Sequence, residues 1–323
     1  MFSVIDLTPD GAPEESTDPD RVRPPTKGSI RWIDLVRTDR ASLDLLGERF
    51  GFHPLSLEDC ARFETRSKIE DFGGYLFVVV HTFTAPEEDV CDIQTHEVHA
   101  FVTTDALVTV HDNPVPSEQT AWRRVIDDPS ILRRGPARAL YHTVNTMVDA
   151  IFPLLDRVLE QVEQVEEAVL ERPKQADFQQ LFRMKRALVT MRRVIRPLRD
   201  SMAILSRSGD PRIDARTALY FRDLHDHVVL AHEIIEEGLD FASNAMEAYR
   251  SAVSSRTNEV IKSLTVMSAI FLPLSFLVGF WGQNFEALPF GSTAHFGAML
   301  AMIVAVPVAL FGWFRLKGWL TEG

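Results

Sequence analysis

Apolar and polar residues are unevenly spread along this chain, and its last quarter shows the sharpest contrast. Between Lys262 and Glu286 no charged residue occurs, and after Glu286 none occurs again until Arg315. Each stretch reaches the roughly 20 residues that a helix needs to cross a hydrocarbon core of about 30 Å. The pattern predicts two transmembrane helices, over 263–284 and 296–314, joined by an external corner over 285–295. Arg256 and Lys262 precede the first span, Arg315 and Lys317 follow the second, and the corner has no Lys or Arg. By the positive-inside rule both termini are cytoplasmic, including a basic tail over 315–323, and the corner faces outward.

Upstream, the periodicity changes twice. Over 28–135 it reads as an α/β domain built on a sheet. "SIRWIDL" alternates as a short strand, "DRASLDLLGERFG" is an amphipathic helix closing on Gly51, and "GYLFVVVHTF" is a continuous apolar strand. "HEVHAFVTTDALVTVHDN" reads as two strands joined at Thr104 and Asp105. Over 136–210 the pattern is that of a helical pair. Leu155, Val158, Val162, Val165 and Val169 form one apolar seam, with Glu160, Glu163, Glu167 and Glu171 on another face. The partner is basic, "FQQLFRMKRALVTMRRVIRPLRD". From Pro211 to Pro273 there is no other proline, and Gly238 is the one glycine. This predicts a long stalk helix over 211–262 that enters the first span without a break.

Composition adds limits. The 323 residues carry a formal charge of −12, which argues against a nucleic-acid partner and suits attraction of cations. Residues 1–27 are acidic and proline-rich, which predicts a disordered tail and no signal peptide. Cys60 and Cys91 form no metal or redox motif. No glycine-rich phosphate loop occurs, and nothing in the pattern suggests an enzyme or an organic cofactor.

Two membrane helices cannot enclose a pore alone, so conduction would require several copies. In the first span Asn258, Ile261, Leu264, Ser268, Leu272, Ser275 and Gly279 recur every three or four residues and share one face. Small and hydroxylated residues in that pattern suit either a pore lining or ordinary helix packing. The second span is apolar all round and suits the lipid side.

"NEVIKSLTVMSAIFLPLSFLVGFWGQNFEALP" resembles the signature of the CorA family of divalent-cation channels, whose first transmembrane helix ends in Gly-Met-Asn. "HPLSLEDC" and "RSKIEDFGGYLFVVV" are similar to the family's cytoplasmic domain, "YFRDLHDH" to its stalk and "RLKGWL" to its basic tail. The resemblance implies an α/β cytoplasmic domain, a long stalk helix and two C-terminal transmembrane helices, assembled as a funnel-shaped homopentamer in the cell membrane. It implies a selectivity filter at Gly282, Gln283 and Asn284, with Asn284 ringing the outer mouth and Glu286 concentrating cations outside. Ile261, Leu264 and Leu272 fall at the family's apolar constrictions, Asn258 at its inner polar ring, and Ser275 where threonine is usual. Asp223 matches a stalk position that holds regulatory Mg²⁺ between subunits. Such a filter would recognise the water shell of Mg²⁺, which dehydrates reluctantly, through neutral carbonyl oxygens.

Gln283 departs from the family's methionine. The ZntB branch, linked to zinc, also varies this residue, so Mg²⁺ is the leading cargo with Co²⁺, Ni²⁺ and Zn²⁺ as rivals, and the alternative reading is a ZntB-like Zn²⁺ transporter coupled to protons. His96, Glu97 and His99 lack the spacing of a zinc-protease helix, and His225 and His227 diverge on theirs.

Overall fold

The computed structural model describes residues 2–9, 11–36, 39–171, 178–207, 209–283 and 291–319. It contains two compact units, Met1–Met246 and Glu247–Gly323. The first is built on seven strands: β1 (Phe2–Leu7), β2 (Glu14–Ser16), β3 (Ile30–Val36), β4 (Lys68–Asp71), β5 (Leu76–Thr84), β6 (Gln94–Val102) and β7 (Ala106–His111). Their order is β2-β1-β3-β7-β6-β5-β4. β3 and β7 run parallel, and every other neighbouring pair is antiparallel.

Alternation along the strands divides the core between the two faces of the sheet. Ile5, Trp32, Val78, Val80, Val98, Ala100 and Leu107 enter one cluster, shared with the helices α3 (Pro116–Asp127), α4 (Ser130–Arg133), α5 (Pro136–Asp149), α6 (Ile151–Glu171) and α7 (Phe178–Arg207). Their strand neighbours Val4, Ile33, Leu35, Phe77, Val79, Phe101 and Val108 enter the other, against α1 (Arg40–Phe50) and α2 (Pro54–Arg62). α1 stops where predicted, with Gly51 at φ 70° taking the left-handed cap. Phe221, Leu224, Val228, Ala231, Ile235 and Leu239 of α8 (Ala215–Trp281) join the first cluster at helical spacing.

The expected disordered tail over 1–27 is instead part of the sheet. β1 pairs with β3 from Phe2↔Leu35 to Leu7↔Ile30, and Val4 and Ile5 are fully buried. The acidic residues that suggested disorder are ion-pair partners. Asp6 takes the buried Arg31 guanidinium, and Arg21 reaches Asp6 at 3.1 Å and Glu14 at 2.8 Å. Arg31 also donates to the carbonyls of Arg21 and Arg23, both at 2.7 Å. Composition averaged over the segment masked the short apolar run "SVIDL" that the sheet buries.

One other expectation needs redrawing. The region 136–210 holds three helices, because α5 ends at Asp149 and is almost wholly buried against the sheet. α6 and α7 then pack on each other, with Leu155, Val158, Val162 and Val165 buried along α6 and Leu181, Met184 and Leu188 along α7. The basic groups of α7 reach beyond α6, Arg183 to Asp89 and Arg192 to Glu236 at 3.5 Å. The stalk helix runs on into the first span without a break, as one 67-residue helix from Ala215 to Trp281. Along that helix the side-chain environment changes while the backbone continues. α9 (Thr293–Leu316) is longer than the predicted second span.

Gly238 shows why the stalk segment needs its one glycine. A Cβ there would lie 2.5 Å from Leu159 Cδ2 and 3.2 Å from Leu188 Cδ1. The absent side chain lets α8 approach α6 and α7 closely.

Candidate functional site

Among the described residues two helices are long and apolar enough to cross a membrane, α8 in its C-terminal part and α9. In the unit Glu247–Gly323 the less exposed positions of each form one stripe. On α8 these are Val266, Ala269, Ile270, Pro273, Leu274, Leu277 and Trp281, and on α9 Met299, Ile303, Val306, Leu310 and Phe314. Lys262 Nζ donates to the Gly318 carbonyl at 3.2 Å, tying the start of the first span to the end of the second. The spans therefore form an antiparallel hairpin with the two stripes turned together.

All seven positions predicted to share a face, Asn258, Ile261, Leu264, Ser268, Leu272, Ser275 and Gly279, are exposed. Leu264 is 65% exposed and Leu272 72%, whereas Val266 is 5%. At about 100° per residue the centre of this set lies roughly 150° round the helix from the covered stripe. A single chain thus leaves uncovered the face that mixes apolar, hydroxyl and amide groups. Thr257 and Thr265 donate their hydroxyls to the carbonyls of Val253 and Ile261, at 2.9 Å and 2.7 Å, so these polar groups are satisfied within the helix.

The first span ends at Trp281, and the chain tightens there. Gly282 N donates to the Val278 carbonyl at 3.0 Å and Gln283 N to the Phe280 carbonyl at 3.3 Å. A Cβ on Gly282 would meet the Val278 oxygen at 3.2 Å. Gly282 and Gln283 thus sit at a helix C-terminus, where the partial negative charge of the backbone carbonyls favours a cation without any ionised side chain. Asn284 and Glu286 lie outside the described residues.

In the unit Met1–Met246, Asp223 is exposed on α8, between the buried Phe221 and Leu224. His225 approaches Asp226 at 3.4 Å and His227 is half-buried. His96 and His99 part as strand geometry requires. His96 meets the Thr84 hydroxyl at 2.7 Å, whereas His99 is buried with Nε2 2.5 Å from Glu97 Oε1 and Nδ1 3.1 Å from Cys60 Sγ. His81 Nε2 lies 3.5 Å from the other Glu97 oxygen. Burial alone would raise the Glu97 carboxyl, but hydrogen bonds from His81 and His99 outweigh it and hold the group at about 2. Cys60 resembles a triad nucleophile only in outline, since it is fully buried and that burial pushes its thiol far up. Sequence spacing also gave no sign that Asp34, His111 and Glu118 converge, because they come from two strands and a helix.

Residues 27–316 match the family described as CorA-like Mg²⁺ transporter protein. The cobalt/magnesium transport protein CorA of Thermotoga maritima is 32% identical over 310 residues, covering 95% of this chain and 88% of its own. The CorA magnesium transporter structure from Methanocaldococcus jannaschii superposes with a TM-score of 0.84 at 18% identity over 98% of both chains. The ZntB cytoplasmic domain from Vibrio parahaemolyticus shares the fold as well, with a TM-score of 0.60 at 14% identity over 79% of this chain and 99% of that one.

Proposed function

Because the chain belongs to the CorA family of Mg²⁺ transporters, as a two-pass membrane protein with its N-terminal domain in the cytoplasm, we propose that it forms a homopentameric, funnel-shaped channel passing Mg²⁺ inward down its electrochemical gradient. One observation carries the reading. The face of α8 bearing Ile261, Leu264, Ser268, Leu272, Ser275 and Gly279 is left uncovered by the chain's own second span. Five such faces around an axis would line a path, with Ile261, Leu264 and Leu272 as apolar rings that close by dewetting and Asn258 as an inner polar ring.

At the outer end, Gly282, Gln283 and Asn284 form the filter. Carbonyl and amide oxygens there hydrogen bond the water shell of the ion and do not strip it. Glu286 raises the local cation concentration. The cargo follows the 32% identical relative, named for cobalt and magnesium. Gln283 keeps Zn²⁺, with or without proton coupling, as the alternative cargo. Cytoplasmic Mg²⁺ bridging the exposed Asp223 to an acid on a neighbouring subunit holds the pentamer closed, and loss of that ion lets the acids repel.

Flux of Mg²⁺ and Zn²⁺ into proteoliposomes, with and without a pH gradient, tests the reading. Mg²⁺ entry that disappears in Asn284→Ala and ignores the gradient supports it. Zn²⁺ entry alone, or a requirement for the gradient, replaces it with the zinc reading. If Asp223→Ala leaves inhibition by internal Mg²⁺ unchanged, the regulatory role is wrong.

A further inference from the structure

Asp34, His111 and Glu118 meet at the carboxyl ends of β3 and β7, the one parallel pair in the sheet, and the first turn of α3. The register sets Asp34 opposite Thr109, so His111, two residues on, lies diagonally beside it on the same face. His111 Nε2 is 3.1 Å and 3.2 Å from the two Asp34 oxygens and 3.7 Å from Glu118 Oε2. One ligand atom from each residue lies within 4.8 Å of the others.

The hydrogen bonds around the trio fix its protons. His111 Nδ1 lies 2.6 Å from the Asn113 carbonyl, which only accepts, so Nδ1 carries a hydrogen and Nε2 is turned to the carboxylates. Asp34 Oδ1 accepts from the Thr109 hydroxyl at 2.6 Å, and that hydroxyl accepts from Trp32 Nε1 at 3.0 Å. An imidazole whose far N–H is held by a carbonyl, beside a carboxylate held by a hydroxyl, is the support that orients metal ligands. A proton on Nε2 would satisfy Asp34 alone. Glu118 is 2% exposed, and its Oε1 has no hydrogen-bond partner among the described residues. A buried carboxyl oxygen without a partner is costly, and one cation between the three groups would engage them all, displacing the protons that His111 Nε2 and the Glu118 carboxyl would otherwise hold.

We propose that Asp34, His111 and Glu118 bind a divalent transition-metal ion of the zinc, cobalt and nickel kind. Ligands at about 2.1 Å in a tetrahedral site stand about 3.4 Å apart, close to the 3.1 and 3.7 Å that separate His111 Nε2 from Asp34 Oδ1 and Glu118 Oε2. An imidazole nitrogen favours these ions over Mg²⁺, which takes oxygen ligands in an octahedron. A cavity of 550 Å³ lined by the trio with Ser3, Gln119, Trp122 and the cationic Arg123 gives an entry path and room for water on the open coordination positions. This site is separate from the pore residues and from Asp223.

Equilibrium dialysis of the full-length, chelator-treated protein against Zn²⁺, and visible absorption on Co²⁺ addition, test the inference. Wild type, Asn284→Ala and Asp223→Ala should each bind one tight Zn²⁺ per chain at this site and give the same Co²⁺ spectrum. His111→Gln should lose both signals. The isosteric Glu118→Gln should weaken binding by at least the roughly 10- to 100-fold that loss of a residue supporting a ligand costs. Absence of tight Zn²⁺ binding in wild type, or binding unchanged by Glu118→Gln and His111→Gln together, overturns it.

Discussion

Leu272→Cys and Met267→Cys form a pair that isolates the environment of the first span. In the single chain both positions are exposed, 72% and 61%, so coverage by the hairpin cannot separate them. Five residues at 100° each place them about 140° apart on the helix. On the pore reading, with internal Mg²⁺ removed so that the apolar rings are open and wetted, Leu272 faces water in the assembled channel and Met267 faces lipid or a neighbouring subunit. A hydrated thiol with a pKa of about 8.5 is roughly 5% thiolate near pH 7.3, and a rise of two units in an apolar setting lowers that about 100-fold. A charged methanethiosulfonate reagent attacks only the thiolate, so Leu272→Cys should react about 100-fold faster than Met267→Cys. The background is low, because Cys60 is fully buried with its thiol pushed far up and burial also raises that of Cys91. Cys91→Ser removes the remainder. Reaction at Leu272→Cys should block most Mg²⁺ flux into proteoliposomes, since each pore then carries up to five charged adducts in one ring. Equal reaction rates, or block from Met267→Cys alone, would refute the assignment of the uncovered face to the pore.

Gly238→Leu should destabilise the cytoplasmic unit by about 3 kcal/mol, since even a Cβ sits 2.5 Å from Leu159 and 3.2 Å from the buried Leu188. Gly238→Ala should cost less, on the order of 1 kcal/mol, because gained helix propensity offsets part of the overlap; thermal unfolding in detergent that ranks Ala as the worse variant would contradict this. Glu97 titrates at about 2 when folded against an ordinary 4.5, so it contributes stability fully present above 4.5 and lost as pH falls through 2. That amounts to about 3 kcal/mol, and Glu97→Gln should flatten the stability profile between pH 4.5 and 2; an unchanged slope would show that the His81 and His99 contacts do not stabilise the charge.

How much of this was legible in the sequence follows from the range of each interaction. Uncharged runs of bilayer length, strand alternation in "SIRWIDL" and "GYLFVVVHTF", the glycine stop at Gly51 and the proline-free stretch ahead of Pro273 are local patterns, and local patterns fix local structure. The signature around Gly282 gave the family because it is contiguous. The three- and four-residue spacing of the pore-face set placed its members together but left open what they faced, and only the second span, by covering the opposite stripe, divided the helix. The tertiary structure also decided what composition misread. Residues 1–27 are acidic on average, yet β1 is stapled into the sheet by Arg31 and Asp6, which lie 25 positions apart. The convergence of Asp34, His111 and Glu118 is the extreme case. Strand pairing and the docking of α3 bring together residues up to 84 positions apart, and no periodicity along a chain encodes a meeting between elements that touch only once folded.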